Sequence, residues 1–148
     1  MKPAIRTLLI LLILISCSSW GFFAHKRINH VAVFTLPKAM AGFYQANIDF
    51  ITRHAVDPDR RRYVDSLEGF RHYFDADHYG KRPFMKIPVR WKNAVKKYSI
   101  DSLNKYGTVP WEIQYQYYRL VNAFKKHDTT AILKTSANLG HYIADAHV

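Results

Sequence analysis

From Arg27 onward, apolar residues recur at three- and four-residue intervals and Pro and Gly interrupt the pattern, as successive amphipathic helices require. Pro37 suits a first helical turn, and Met40, Tyr44, Ile48 and Ile51 fall on one face of a helix that continues to Arg53. The polar stretch HAVDPDRRRYVD over 54–65 contains Pro58 and reads as a loop. A helix over 67–79 follows, then a loop holding Pro83 and Pro88, then short helices over 91–98 and 101–106, the second stopped by Gly107. Thr108 or Val109 opens the next helix, with Pro110 in its first turn, Glu112 near its positive end, and Ile113, Leu120, Val121 and Phe124 toward the core. Asp128 or Thr129 caps a last helix that runs to the final residue without a stop signal, so the chain reads as truncated at its C-terminus. No segment alternates with period two. The expected fold is therefore all-α, a single multi-helix domain over 20–148.

The first 19 residues follow a different pattern. Lys2 and Arg6 supply two positive charges, 7–15 is an apolar run, and Ser16-Cys17-Ser18-Ser19 is small and polar. That is the three-part form of a signal peptide, and the run falls short of the roughly 20 apolar residues a spanning helix needs. Export to the periplasm or the extracellular space is the expectation. Leu14-Ile15-Ser16-Cys17 also resembles a lipobox, which would leave the protein lipid-anchored through Cys17. Cleavage by ordinary signal peptidase, with Cys17 and Ser19 as the small residues, would instead make Trp20 the first residue.

Charge narrows the partners. The 148 residues carry a formal charge of +11, and losing Lys2 and Arg6 with the leader leaves a strongly basic mature part. Nucleic acid, phospholipid headgroups and phosphorylated small molecules all fit this balance, and no protein partner is implied. The single cysteine, Cys17, lies in the leader, so the mature part has no disulfide and no thiolate ligand. Any metal must be held by His, Asp, Glu or backbone groups.

Three clusters carry such groups. His141 and Asp145, spaced i, i+4 on the last helix, project from one face a turn apart, as shared coordination requires and as an exposed ion pair would also do. HYFDADHY places His72, Asp75, Asp77 and His78 close together, with Asp57 and Asp59 upstream in the polar stretch. WGFFAH follows the leader directly. A free Trp20 amine and its carbonyl can chelate one metal, with His25 near enough to complete the site.

Taken in order, WGFFAH, the Asp57–His72 pair with HYFDADHY, GTVPWEI and LGHYIADAHV resemble the zinc-dependent phospholipase C and single-strand-specific nuclease superfamily, over 20–148. GTVPWEI and HAVDPDRRRY look most like its bacterial phospholipase C members. The resemblance implies an all-helical fold and a cleft with three zinc ions, ligands for two of them being present here. By position, Trp20 and His25 would bind one zinc, His72, His141 and Asp57 another, and Asp145 would bridge them. Asp57 would also orient the attacking water, Arg60 would face the substrate phosphate and Asp75 would lie near the substrate. Asp59 is a rival for the Asp57 role, and His147 does not match the missing ligand of the third ion. The implied activity is hydrolysis of phosphodiesters in phospholipid or single-stranded nucleic acid, with membrane-surface contact. The alternatives are a membrane-tethered, non-catalytic binding protein of the same fold, or a basic nucleic-acid-binding module.

Overall fold

A computed structural model describes residues 20–147, with the side chain of Trp20 outside the description. The leader expected over 1–19, including Cys17, lies outside the described residues. Those residues form helices and turns with no strand: α1 (Trp20–Val33), α2 (Lys38–Ala46), α3 (Ile48–His54), α4 (Asp57–Arg61), α5 (Pro83–Lys86), α6 (Trp91–Tyr98), α7 (Ile100–Tyr106), α8 (Val109–Lys125) and α9 (Thr129–Asp145). Two 3₁₀ turns, Gly69–His72 and Ala76–Tyr79, lie between α4 and α5. Among the described residues no helix is long and apolar enough to cross a membrane.

Two apolar clusters hold these elements. Val33, Tyr44, Ile51, Ala123, Ile132, Leu133 and Ala137 join α1, α2 and α3 to the α8–α9 hairpin. Tyr79, Ala94, Leu103 and Trp111 form the second, with Phe74, Ile87, Val95, Tyr98 and Tyr106 against them. Asp128 caps α9 by accepting from the Ala131 N–H at 2.9 Å.

Several sequence expectations are corrected. The helix expected over 37–53 breaks at Asn47, whose side chain donates back to the Phe43 carbonyl at 2.8 Å and separates α2 from α3. The stretch read as a loop contains α4, because Pro58 occupies the first turn, where its missing N–H costs nothing, while Asp57 and Asp59 sit at the positive end and Arg60 and Arg61 at the negative end. The helix expected over 67–79 is two 3₁₀ turns around an extended Tyr73. Its backbone bonds elsewhere: Asp75 N–H donates to Tyr106 O at 2.8 Å, Thr108 N–H to Phe70 O at 2.7 Å and Val109 N–H to Tyr73 O at 3.2 Å. Gly107, at φ +86, lets the two segments meet, since a β-carbon there would strike the Tyr73 backbone. Pro83 opens the short α5 inside an expected loop. On α8 Leu120 packs against the first cluster as expected, but the buried residues are Val109, Trp111, Gln116 and Ala123, and Phe124 is exposed. The last helix closes at Asp145 with Ala146 as its cap.

The approach of α1 to α9 depends on Gly140. Asn29, buried on α1, donates to the Ala137 carbonyl at 3.0 Å, and its carboxamide lies where a β-carbon on Gly140 would be. Gly140→Ala is therefore expected to destabilise the chain by about 1–3 kcal/mol in urea denaturation. An unchanged midpoint would show that the helices have slack at this crossing.

Candidate metal centre

Four elements deliver the candidate ligands. His25 comes from the second turn of α1, Asp59 from α4, His72 from the end of the first 3₁₀ turn, and His141 and Asp145 from successive turns of α9. His141 is fully buried. Its Nδ1–H donates to the Ala55 carbonyl at 2.8 Å, which fixes the tautomer and leaves Nε2 with a free lone pair. That Nε2 lies 3.1 Å from Asp145 Oδ2 and 3.1 Å from His72 Nδ1. His25 stacks on His141 with ring centroids 3.9 Å apart.

The two carboxylates divide their oxygens between the imidazoles. Asp145 turns Oδ1 to His25 Nε2 at 3.3 Å and Oδ2 to His72 Nδ1 at 2.8 Å. Asp59 does the same more loosely, with Oδ2 3.9 Å from His25 and Oδ1 3.8 Å from His72 and 3.9 Å from His141. Two sets of groups, His25, His141 and Asp145, and Asp59, His72 and His141, each bring their ligand atoms within 4.8 Å of one another and can hold a metal ion. His25 Nδ1 and His72 Nε2 are buried without a hydrogen-bond partner among the described residues.

The expected residues separate accordingly. His25, His72, His141 and Asp145 come together. Asp57 does not join them: its Oδ2 accepts from His54 Nδ1 at 2.6 Å and its Oδ1 from Arg60 at 3.3 Å. Two positions apart on a single helical turn, Asp57 and Asp59 point to different sides, and Asp59 is the one beside the imidazoles. Arg60, occupied with Asp57, is exposed, and Arg62 lines the groove over the centre in its place. Asp75 is exposed and lines the same groove. Gly21 lines it too, so the start of α1, where Trp20 sits, borders the cluster. The groove encloses about 710 Å³, with apolar walls from Tyr73, Phe74, Phe84, Pro110 and Ile113.

Sequence reasoning missed the group behind His72. Glu68 is fully buried, accepts from Arg71 Nη1 at 2.7 Å, from Arg61 Nη2 at 3.2 Å and from the Tyr142 hydroxyl, and sets Oε1 3.6 Å from His72 Nε2. The only signal for it was an acid one helical turn ahead of a candidate ligand. Burial disfavours the Glu68 carboxylate, but these donors outweigh it and hold its pKa well below the ordinary range. Burial likewise works against ionised Asp145, and His141, His25 and His72 overcome it in the same direction. Glu68→Ala would leave two guanidinium groups and a phenol facing a void. A loss of roughly 3 kcal/mol or more is expected on chemical denaturation, and a loss below about 1 kcal/mol would show that the cluster contributes nothing to stability.

For His72, burial disfavours the charged ring, yet Asp145 and Glu68 lift its pKa from 6.5 to about 9. The folded value lies above the unfolded one, so this contribution to stability is fully present below pH 6.5 and is lost as pH rises through 9. In chelator-treated protein the denaturation midpoint is expected to fall across that window, and a flat profile would remove the ion pair from the account. A cation binding through His72 Nδ1 must displace this proton, so its affinity rises with pH over the same range.

Comparison with protein families, with curated proteins and with solved structures returns no match for this chain.

Proposed function

We propose that the chain is a zinc-dependent hydrolase of phosphodiesters, acting at the centre formed by His25, Asp59, His72, His141 and Asp145. The observation that carries this reading is the division of both carboxylates, each giving one oxygen to His25 and the other to the side of His72 and His141. Imidazole nitrogens and carboxylate oxygens are the donor set zinc prefers when no thiolate is present. His25 with one oxygen of each carboxylate would hold one ion, and His72 and His141 with the others a second. Zinc held there supplies Lewis-acid polarisation of a phosphoryl oxygen and lowers the pKa of water.

The chain's own residues provide the rest. Asp59, whose oxygens make no hydrogen bond shorter than the 3.8 Å approach to His72, takes the role expected of Asp57: orienting the attacking water and accepting its proton. Arg62, 3.9 Å from Asp59 and on the groove wall, offers the cation that a phosphate oxygen needs. Tyr73, Phe74, Pro110 and Ile113 give an apolar bed to the organic part of the substrate. The reading includes export by a leader over 1–19. With cleavage before Trp20, its amine and carbonyl join His25.

The test uses full-length protein processed to begin at Trp20 and reconstituted with zinc, assayed on a small chromogenic phosphodiester, on phosphatidylcholine and on single-stranded DNA. Asp59→Asn and Asp145→Asn should each lower bound zinc and reduce turnover by roughly a hundredfold or more. Asp57→Asn should leave zinc content unchanged. Zinc uptake without cleavage of any of the three substrates would favour a non-catalytic binding protein, and no zinc uptake would end the proposal.

A further inference from the structure

The segment 80–90, GKRPFMKIPVR, carries an outward surface that supplies no ligand to the metal centre and, Ile87 apart, no side chain to the two apolar clusters. Phe84, Met85 and Val89 are 78%, 82% and 74% exposed, three large apolar side chains within six positions. Lys81, Arg82, Lys86 and Arg90 interleave with them, and no acidic residue occurs in the segment. None of the ion pairs among the described residues uses these four cations.

The projection is built into the fold. Ile87 packs against the second apolar cluster, the Trp111 indole N–H donates to the Pro88 carbonyl at 3.2 Å, and Lys97 Nζ donates to the Lys86 carbonyl at 2.7 Å. The backbone is thus tied down at 86–88, and Phe84, Met85 and Val89 face outward on either side of the anchor. Little order has to be gained when the segment meets a partner. Phe84 also lines the groove over the metal centre, so the patch adjoins its mouth.

We infer that segment 80–90 docks the protein on an anionic phospholipid surface, with Met85, Val89 and Phe84 entering the headgroup region and Lys81, Arg82, Lys86 and Arg90 at the level of the phosphates. Interleaved apolar and basic side chains match that boundary, where apolar area is buried shallowly and each cation near the surface adds to the attraction. The inference deepens the hydrolase reading by making phospholipid the substrate class, while the docking itself needs no metal.

Flotation with vesicles of phosphatidylcholine alone, or mixed with phosphatidylglycerol, tests it on zinc-loaded and on chelator-treated full-length protein. Both forms should bind the mixed vesicles, more weakly as salt rises. Met85→Ser with Val89→Ser, and separately Arg82→Glu with Arg90→Glu, should each weaken binding roughly tenfold or more. Circular dichroism and hydrolysis of the soluble chromogenic phosphodiester should stay as in the parent, while hydrolysis of vesicle phospholipid falls with binding. Equal affinity for the two vesicle types, or variants that bind like the parent, would overturn the docking. So would single-stranded DNA binding that displaces the vesicles and is lost in the same variants, since the segment would then be a nucleic-acid surface. Vesicle binding without hydrolysis of any phosphodiester would sustain the docking and remove the hydrolase reading alone.

Discussion

Asp145 is the group on which the arrangement turns. It is a nearly buried carboxylate at the end of α9, and such a charge persists away from water only where donors surround it. His72 Nδ1 meets it at 2.8 Å, and His25 Nε2 and His141 Nε2 stand 3.3 and 3.1 Å away, one ring from each of three elements. Each imidazole is fixed in turn: His141 by the Ala55 carbonyl, His72 by the buried Glu68 behind it, and His25 by stacking on His141. The positions of α1 and the first 3₁₀ turn against α9 therefore follow from satisfying one carboxylate, and the same convergence gives the site its capacity for a cation.

The two apolar clusters supply the rigidity that this convergence needs. The first holds α1 and α3 against α9, and the second holds the second 3₁₀ turn, α6, α7 and the start of α8. Between them runs a polar seam in which buried Glu68 accepts from the partly exposed Arg61 and Arg71 and from Tyr142. Arg71 reaches on toward Glu112 at 3.8 Å and lines a separate, apolar cavity of about 630 Å³ beside Trp91, Trp111 and Tyr118. The candidate metal centre and that cavity thus lie on either side of Glu68, which meets His72 on one side and Arg71 on the other. Position in the seam gives His72 its raised pKa, because the ring is pressed between two carboxylates.

The all-helical class was legible because helical periodicity is a local property, and His141 with Asp145 could be read because an i, i+4 pair on a long helix has only one geometry. His72 was legible as a residue but not in its setting. A run such as HYFDADHY is locally compatible with a helix, and what opens it is pairing with 106–109, some thirty residues away. Glu68 was invisible for a related reason: its charge is balanced by Arg61 and Arg71 only once the chain is folded, and in sequence it resembles any surface acid. Pro58 is a loop signal and equally a residue of first helical turns, so the sequence leaves α4 open and with it the facing of Asp57 and Asp59.

The exchange of Asp57 for Asp59 bears directly on chemistry. Both oxygens of Asp57 are already engaged, one by His54 and one by Arg60, so the carboxylate has little capacity left to bind a cation or take a proton. Asp59 has the opposite character. Its oxygens stand 3.8–3.9 Å from His25, His72, His141 and Arg62, too far for a direct hydrogen bond and close enough to share a ligand with each of them. A carboxylate held near four nitrogen groups but bonded to none keeps its lone pairs available, which is what a metal ligand or a general base requires. Spacing to His72 could not distinguish the two acids, and only the facing of one short helix does.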